Sequence, residues 1–304
     1  MAADLASLIE GHRGLREGRA ADYIPALAQA DPEVFAIAAC AVDGREAAAG
    51  DADLPFTIQS ISKPFVYGLA LDLLGRSTLR EKVGVEPTGE AFNSIVELEE
   101  GVHRPYNPMI NSGAIAVTAL LQAHLGPQAR ERIEQLFSSY LGRPATVDEQ
   151  VLASEVATGD RNRAIGYLLR HFGVLRGELE DVLALYATQC AMLASTRELA
   201  RMAATLANGG IQPFTREKAL EPGHVRDVLS LMLTCGLYDT SGEWAYSVGL
   251  PAKSGVSGGI LAVVPGRMGL AVYSPRLDEH GHSVRGMAVF RNWSQAWGLG
   301  LFGR

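Results

Sequence analysis

From about residue 62 to about residue 208, apolar side chains return every three or four positions, while outside that stretch they run together in short blocks. The first spacing lines one face of a helix, and the second fits short strands. Helices are expected in "SKPFVYGLALDLLG", "ARERIEQLFSSYLG", "RNRAIGYLLRHFG" and "STRELARMAATLANGG". The last carries its own end signals, because Ser195 and Glu198 have the spacing of a capping box and Gly209-Gly210 stop the helix. Near the start, "VFAIAACAVDGREAAAG" reads as two strands around Asp43-Gly44, a favoured hairpin dipeptide. After residue 250, "GGILAVVPG" and "MGLAVYSP" read as strands, and "SVRGMAVFRNWSQAW" reads as a closing amphipathic helix.

The order is therefore sheet, helices, sheet, helix. Its simplest arrangement is a sheet domain built from both chain ends, residues 1–57 and 246–304, with an all-helical domain over residues 58–245 inserted between them. A cleft is expected where Ser60 leaves the sheet region and enters the helices. A chain of 304 residues, 47% of them hydrophobic, is large enough for a sizeable core. A formal charge of -7 without runs of like charge gives no footprint for nucleic acid or for an anionic membrane. The N-terminus alternates charged and apolar residues, unlike a signal peptide, and no segment has the length and apolarity of a membrane span, so a cytoplasmic location is expected. Cys40, Cys190 and Cys235 are odd in number and far apart, which suits buried thiols used in packing.

Candidate chemistry begins at Ser60-Ile61-Ser62-Lys63. On a helix, residues three apart share a face, so the Lys63 amine can reach the Ser60 hydroxyl. A single serine-x-x-lysine match is weak, but lysine is scarce: of 27 basic residues only Lys63, Lys82, Lys218 and Lys253 are lysines. Arginine cannot lose its proton at working pH, so among the Lys and Arg residues a base or proton relay has to be one of those four. Lys253 opens Lys253-Ser254-Gly255 ahead of a strand-like run, the second element of serine acyl-enzymes of the penicillin-recognising kind. A lysine deprotonates serine only if burial or a second cation lowers its pKa, and Lys253 could be that cation. The other reading is a serine that caps a helix beside a solvated lysine. Gly255-Val256-Ser257-Gly258-Gly259 also matches the G-x-S-x-G elbow, but that motif needs a helix after it, and "ILAVVPG" reads as a strand. The glycines are better explained by close approach of backbone to a ligand.

The chain resembles the serine-dependent glutaminases in "DYIPALA", "FTIQSISKPF", "NPMINSGAI", "SEVATGDRNRAIGYLL", "LYATQCAML", "MAATLANGG", "GLYD", "PAKSGVSGGI" and "SVRGMAVF". The resemblance implies an α/β (α+β) fold of the β-lactamase and penicillin-binding-protein type, an antiparallel sheet flanked by helices with an inserted all-helical domain. Ser112 stands where the family pattern has alanine, and the chain ends soon after the closing helix, as a minimal catalytic unit would. The implied reaction is hydrolysis of L-glutamine to L-glutamate and ammonia through an acyl-serine. Ser60 is implied as nucleophile, Lys63 as base, Tyr238 as the phenol that passes a proton to ammonia with Tyr23 nearby, and Lys253 as charge balance. The backbone amides of Ser60 and Val256 are implied as the oxyanion hole. Glu155 is the implied partner of the substrate ammonium, with Asn111, Asn162 and Tyr186 on its carboxylate. A homodimer or homotetramer is implied too.

His280-Gly281-His282 matches no zinc spacing, and "LDEHGHSVR" reads as a polar turn, so neither a metal nor a cofactor is expected. A β-lactamase-like or esterase-type serine acyl hydrolase remains a second reading, and a non-catalytic amino-acid-binding module a third. Ammonia release from glutamine, set beside turnover of a cephalosporin, separates them.

Overall fold

The structure, a computed structural model, describes residues 2–91, 93–100 and 103–303. The chain runs α1 (Ala2–His12), β1 (Ala36–Ala41), β2 (Glu46–Gly50), β3 (Phe56–Thr57), α2 (Ser62–Lys82), α3 (Val96–Glu100), α4 (Asn111–Leu125) and α5 (Ala129–Leu141). It continues through α6 (Glu149–Ala157), α7 (Asp160–His171), α8 (Leu179–Cys190), β4 (Leu193–Ala194), α9 (Thr196–Ala207), α10 (Pro222–Cys235) and α11 (Ser241–Ser247). The last elements are β5 (Ala252–Ser254), β6 (Gly259–Val264), β7 (Met268–Tyr273) and α12 (Val284–Trp297).

Both chain ends supply one antiparallel five-stranded sheet in the order β2-β1-β7-β6-β5. Its inner strands read as continuous apolar runs because both faces are covered. Leu261, Val263, Ala271 and Tyr273 join the core that runs through α9 into the helices, while the alternate residues Ile260, Ala262, Leu270 and Val272 join α1 and α12. The hairpin expected at Asp43-Gly44 is present, with Gly44 at φ +88° and the Ala41 N–H donating to Arg45 O at 2.8 Å. The expected capping box is also formed: Ser195 Oγ accepts from the Glu198 N–H and the Glu198 carboxylate accepts from the Ser195 N–H, while Gly209 takes φ +68° just past the end of α9. α2 is interrupted at Gly75, which takes φ +75°, and resumes to Lys82.

The helix α9, which its period alone groups with the other helices, lies directly on the sheet. A Cβ on Gly269 would sit 2.2 Å from both Ala200 O and Ala204 N, so the backbones of β7 and α9 meet. On the far face, the buried Arg285 guanidinium donates to Leu15 O, Pro32 O and Arg13 O at 2.8–3.2 Å, tying α12 to the segment that carries Tyr23. Among the described residues no helix is long and apolar enough to cross a membrane. Gly269→Val should lower stability by about 1–3 kcal/mol by forcing sheet and helix apart. A denaturant midpoint equal to that of the parent protein would contradict this close approach.

Candidate active site

The turn that carries Ser60 is pinned from two sides. Phe56 and Thr57 pair with β4, the Ile58 N–H donates to Met192 O at 2.9 Å, and the Phe56 ring stacks on Tyr273 with centroids 3.8 Å apart. The backbone then reverses through Gln59 at φ +51°, a left-handed conformation that costs a non-glycine residue about 1–3 kcal/mol. Ser60 lies in the 3₁₀ turn Gln59–Ile61, and α2 follows at Ser62 without a side-chain cap. The Ser60 hydroxyl is therefore not a helix cap. Lys63, one turn on, is not solvated either, being 2% exposed.

The Lys63 ammonium nitrogen lies 3.0 Å from Ser60 Oγ and 2.7 Å from Asn111 Oδ1. Burial pulls its pKa down to about 8, against the upward pull of the Glu155 carboxylate. A neutral amine beside the serine hydroxyl is thus accessible near neutral pH. Lys253 is fully buried on β5, where it donates to Gly236 O at 2.8 Å and Ser254 O at 2.9 Å. Its nitrogen also sits 3.9 Å from the centroid of the Tyr238 ring, a cation–π contact in a dry setting. Burial first, and the Lys63 charge second, hold Lys253 well below its ordinary pKa. Burial is likewise the first cause at Lys63, so the low pKa expected from a neighbouring cation arises mainly from exclusion of water. Tyr238 takes φ +55°, and burial raises its phenol while a hydrogen bond with Ser60 pulls it back.

The residues expected to bind an amino acid gather around the same centre. Asn111 Oδ1 accepts from Lys63 and from the Tyr186 hydroxyl at 3.2 Å, and Asn111 Nδ2 donates to Asn162 Oδ1 at 3.0 Å. Glu155 on α6 keeps one buried carboxylate oxygen, Oε1, without a hydrogen-bond partner among the described residues. Burial raises its carboxyl to about 7, opposed by a hydrogen bond from Gln59 and by the Lys63 charge. Tyr23 stands at the rim, 52% exposed, and shares with Val256 a cleft of about 630 Å³. Burial of its phenol and the nearby Glu155 and Tyr238 raise its pKa.

Residues 18–302 match the family model described as Glutaminase. A glutaminase of Microcystis aeruginosa is 52% identical over 295 residues, 97% of this chain and 87% of that protein. The crystal structure of Mglu in its glutamate form superposes with a TM-score of 0.93 at 44% identity, covering 99% of this chain and 69% of that one. A probable glutaminase, ybaS, gives a TM-score of 0.94 at 40% identity, with 99% of each chain covered. The chain belongs to the glutaminase family.

For this glutaminase chain, the G-x-S-x-G match is not a nucleophile elbow, because Ser257 leads into strand β6 and its buried hydroxyl has no partner among the described residues. Gly255, expected to let backbone approach a ligand, instead packs against the protein's own serine turn: a Cβ on it would lie 2.7 Å from Ile58 O. The turn expected in "LDEHGHSVR" is present, with the Gly281 N–H on Asp278 O at 3.1 Å, but it is not polar and solvated throughout: His282 is wholly buried and its Nε2 lies 2.9 Å from Thr240 Oγ1. Two residues next to the site went unnoticed in the sequence. Cys190, buried as expected for a packing thiol, also feels Glu155, Lys63, Tyr186 and Ser62, and burial pushes its pKa up to about 12. Its spacing of four from Tyr186 on α8 was a usable signal. Gln59 had none, because nothing local marks a glutamine as left-handed. Gly255→Ala should misplace the loop against the serine turn and lower kcat on the order of 100-fold. Steady-state kinetics with a melting curve checks this, and unchanged kcat would show that the loop tolerates the Cβ.

Proposed function

We propose that this chain hydrolyses L-glutamine to L-glutamate and ammonia through an acyl-serine intermediate on Ser60. The observation that carries the mechanism is the buried Lys63 amine, 3.0 Å from Ser60 Oγ and lowered to about 8. Neutral Lys63 takes the hydroxyl proton as Oγ attacks the side-chain amide carbon. The oxyanion then faces the backbone N–H groups of Ser60 and Val256. Tyr238, hydrogen-bonded to Ser60, passes a proton to the departing ammonia and regains one from Lys63. Water reverses the sequence on the acyl-serine, returning Ser60 and releasing glutamate. Lys253 stays on the Tyr238 ring as a fixed neighbour that keeps the phenol in place.

Recognition of the amino-acid end follows from what each group still lacks. The unpartnered Glu155 Oε1 suits the substrate ammonium. Asn162 accepts from Asn111 through its carbonyl oxygen, which leaves its NH₂ for the substrate carboxylate beside Tyr186. The Glu155 carboxylate favours an α-amino acid over a cephalosporin or a simple ester. The sheet drawn from both chain ends, in the order β2-β1-β7-β6-β5, supports the finer reading of the fold as β-lactamase-like.

A glutamine analogue with a diazo-ketone in place of the amide should label Ser60 covalently, and Lys63→Arg, which cannot deprotonate, should abolish labelling in a folded protein. Peptide mapping of the adduct to Ser257 or a cysteine overturns the assignment.

The pH dependence follows from two groups that act as their bases, Glu155 near 7 and Lys63 near 8. In the free enzyme kcat/KM should therefore climb as pH rises through both values, and fall again once glutamine's own ammonium loses its proton. Bound substrate holds Glu155 ionised, so kcat should climb through the Lys63 ionisation alone. Glu155→Gln should remove the lower ionisation and cost roughly 30-fold or more in kcat/KM, by analogy with breaking a buried charge pair. An unchanged profile in Glu155→Gln removes Glu155 from recognition.

A further inference from the structure

His280-Gly281-His282 matches no metal site, and among the described residues no three His, Cys, Asp or Glu side chains gather closely enough to hold a metal ion. Both imidazoles instead reach across to the 3₁₀ turn Tyr238–Thr240 and take hold of the two residues that follow the tyrosine. His280 Nδ1 lies 2.8 Å from Asp239 Oδ2, and His282 Nε2 lies 2.9 Å from Thr240 Oγ1. The His282 ring also lies nearly parallel to the Tyr238 ring, 11° apart with centroids 5.9 Å distant. The loop that presents them is itself ordered: Asp278 Oδ1 accepts from the N–H groups of His280 and His282 at 3.0 and 2.9 Å, and Gly281 takes φ +81°.

The hydrogen bonds settle the His282 tautomer. Thr240 Oγ1 donates its only proton to Leu237 O at 2.8 Å, so towards the imidazole it can only accept. His282 must then carry its proton on Nε2, leaving Nδ1 as a buried lone pair without a partner among the described residues. A second proton would sit on a buried nitrogen without a partner among the described residues, and burial lowers His282 to about 4 against the pull of the nearby Asp278 carboxylate. The ring is a neutral donor throughout the working range of pH. Tyr238 is one of four described non-glycine residues with a positive φ, and such a conformation persists only where neighbours over-determine it.

We propose that His280 and His282 are positioning residues that clamp the Tyr238–Thr240 turn, with the buried His282 as the main hold, so that the Tyr238 hydroxyl stays on Ser60. This rests on the part given to Tyr238 above. His280 contributes less, because its pair with Asp239 is 41% and 28% exposed. The clamp acts on kcat and not on substrate affinity, since neither histidine belongs to the Glu155, Asn111 and Asn162 group.

The test compares His282→Leu, which keeps apolar bulk but loses the donor, with His282→Gln, whose side-chain N–H reaches the position of Nε2. His282→Leu should lower kcat for glutamine about 10-fold or more with KM within about twofold, and His282→Gln should recover most of the loss. In a Tyr238→Phe background, His282→Leu should cause little further fall, because the hydroxyl it positions is already gone. Losses that multiply in the double variant, or a KM that rises in step with the fall in kcat, overturn the clamp. So does a His282→Leu protein with parental kcat. The part given to Tyr238 is judged separately: Tyr238→Phe should spare a γ-glutamyl p-nitrophenyl ester, whose leaving group needs no proton, and equal loss on ester and amide removes Tyr238 as the proton donor.

Discussion

Two lysine amines held out of water beside one phenol set the terms for everything around them. A desolvated ammonium is costly unless its N–H groups are taken up, and the surroundings divide that task between elements distant in sequence. Lys63 is answered by Ser60 and by Asn111 at the start of α4, and Lys253 by the carbonyls of Gly236 and Ser254 and by the Tyr238 ring. Gly236 can serve because it lacks a side chain: a Cβ there would lie 1.8 Å from Ala252 O, so only glycine lets the end of α10 come this close to β5. Lys253 projects from its strand towards the site while Ala252 beside it joins the core under α12, as the alternation of a strand requires.

The same burial that makes these charges expensive makes them useful. It lowers Lys63 into the range where a neutral amine exists beside a hydroxyl, and it raises the carboxyl of Glu155, whose buried Oε1 has no hydrogen-bond partner among the described residues. Backbone strain is placed alongside. Gln59 precedes the serine and Tyr238 carries the phenol, both left-handed. The Gln59 turn is held by the Ser62 hydroxyl on Gln59 O at 2.8 Å, and the Tyr238 turn by Ser241 Oγ on Tyr238 O at 2.9 Å. Rigid supports of this kind fix a reacting hydroxyl more narrowly than a flexible loop can.

Much of the architecture was legible from local pattern. The blocks "GGILAVVPG" and "MGLAVYSP" became β6 and β7, the Ser195 and Glu198 spacing became a working capping box, and Gly209 follows the end of α9. Of the site, the serine-x-x-lysine spacing and the scarcity of lysine were enough to single out Ser60, Lys63 and Lys253. Glu155, Asn111, Asn162, Tyr186, Tyr23, Tyr238 and Val256 came through family likeness, and no period or spacing of their own marks them. His282 misled, because it stands among charged residues and a glycine in "LDEHGHSVR" and yet is turned wholly inward.

The division has a physical cause. Periodicity, caps and glycine stops are set by neighbours within a turn or two of the chain, so the sequence by itself determined where helices and strands run and which lysines had the spacing for chemistry. Docking of α9 on the sheet and the contact that fixes the His282 tautomer depend on partners far away in the chain. The left-handed turns at Gln59 and Tyr238 add distant contacts, Ile58 to Met192 and Tyr238 to His282, to their local serine braces. Lys63 meets Asn111 across 48 residues and His282 meets Thr240 across 42. Exclusion of water is a property of the whole assembled cleft, and only the tertiary structure decided that Lys63 is buried enough to give up its proton.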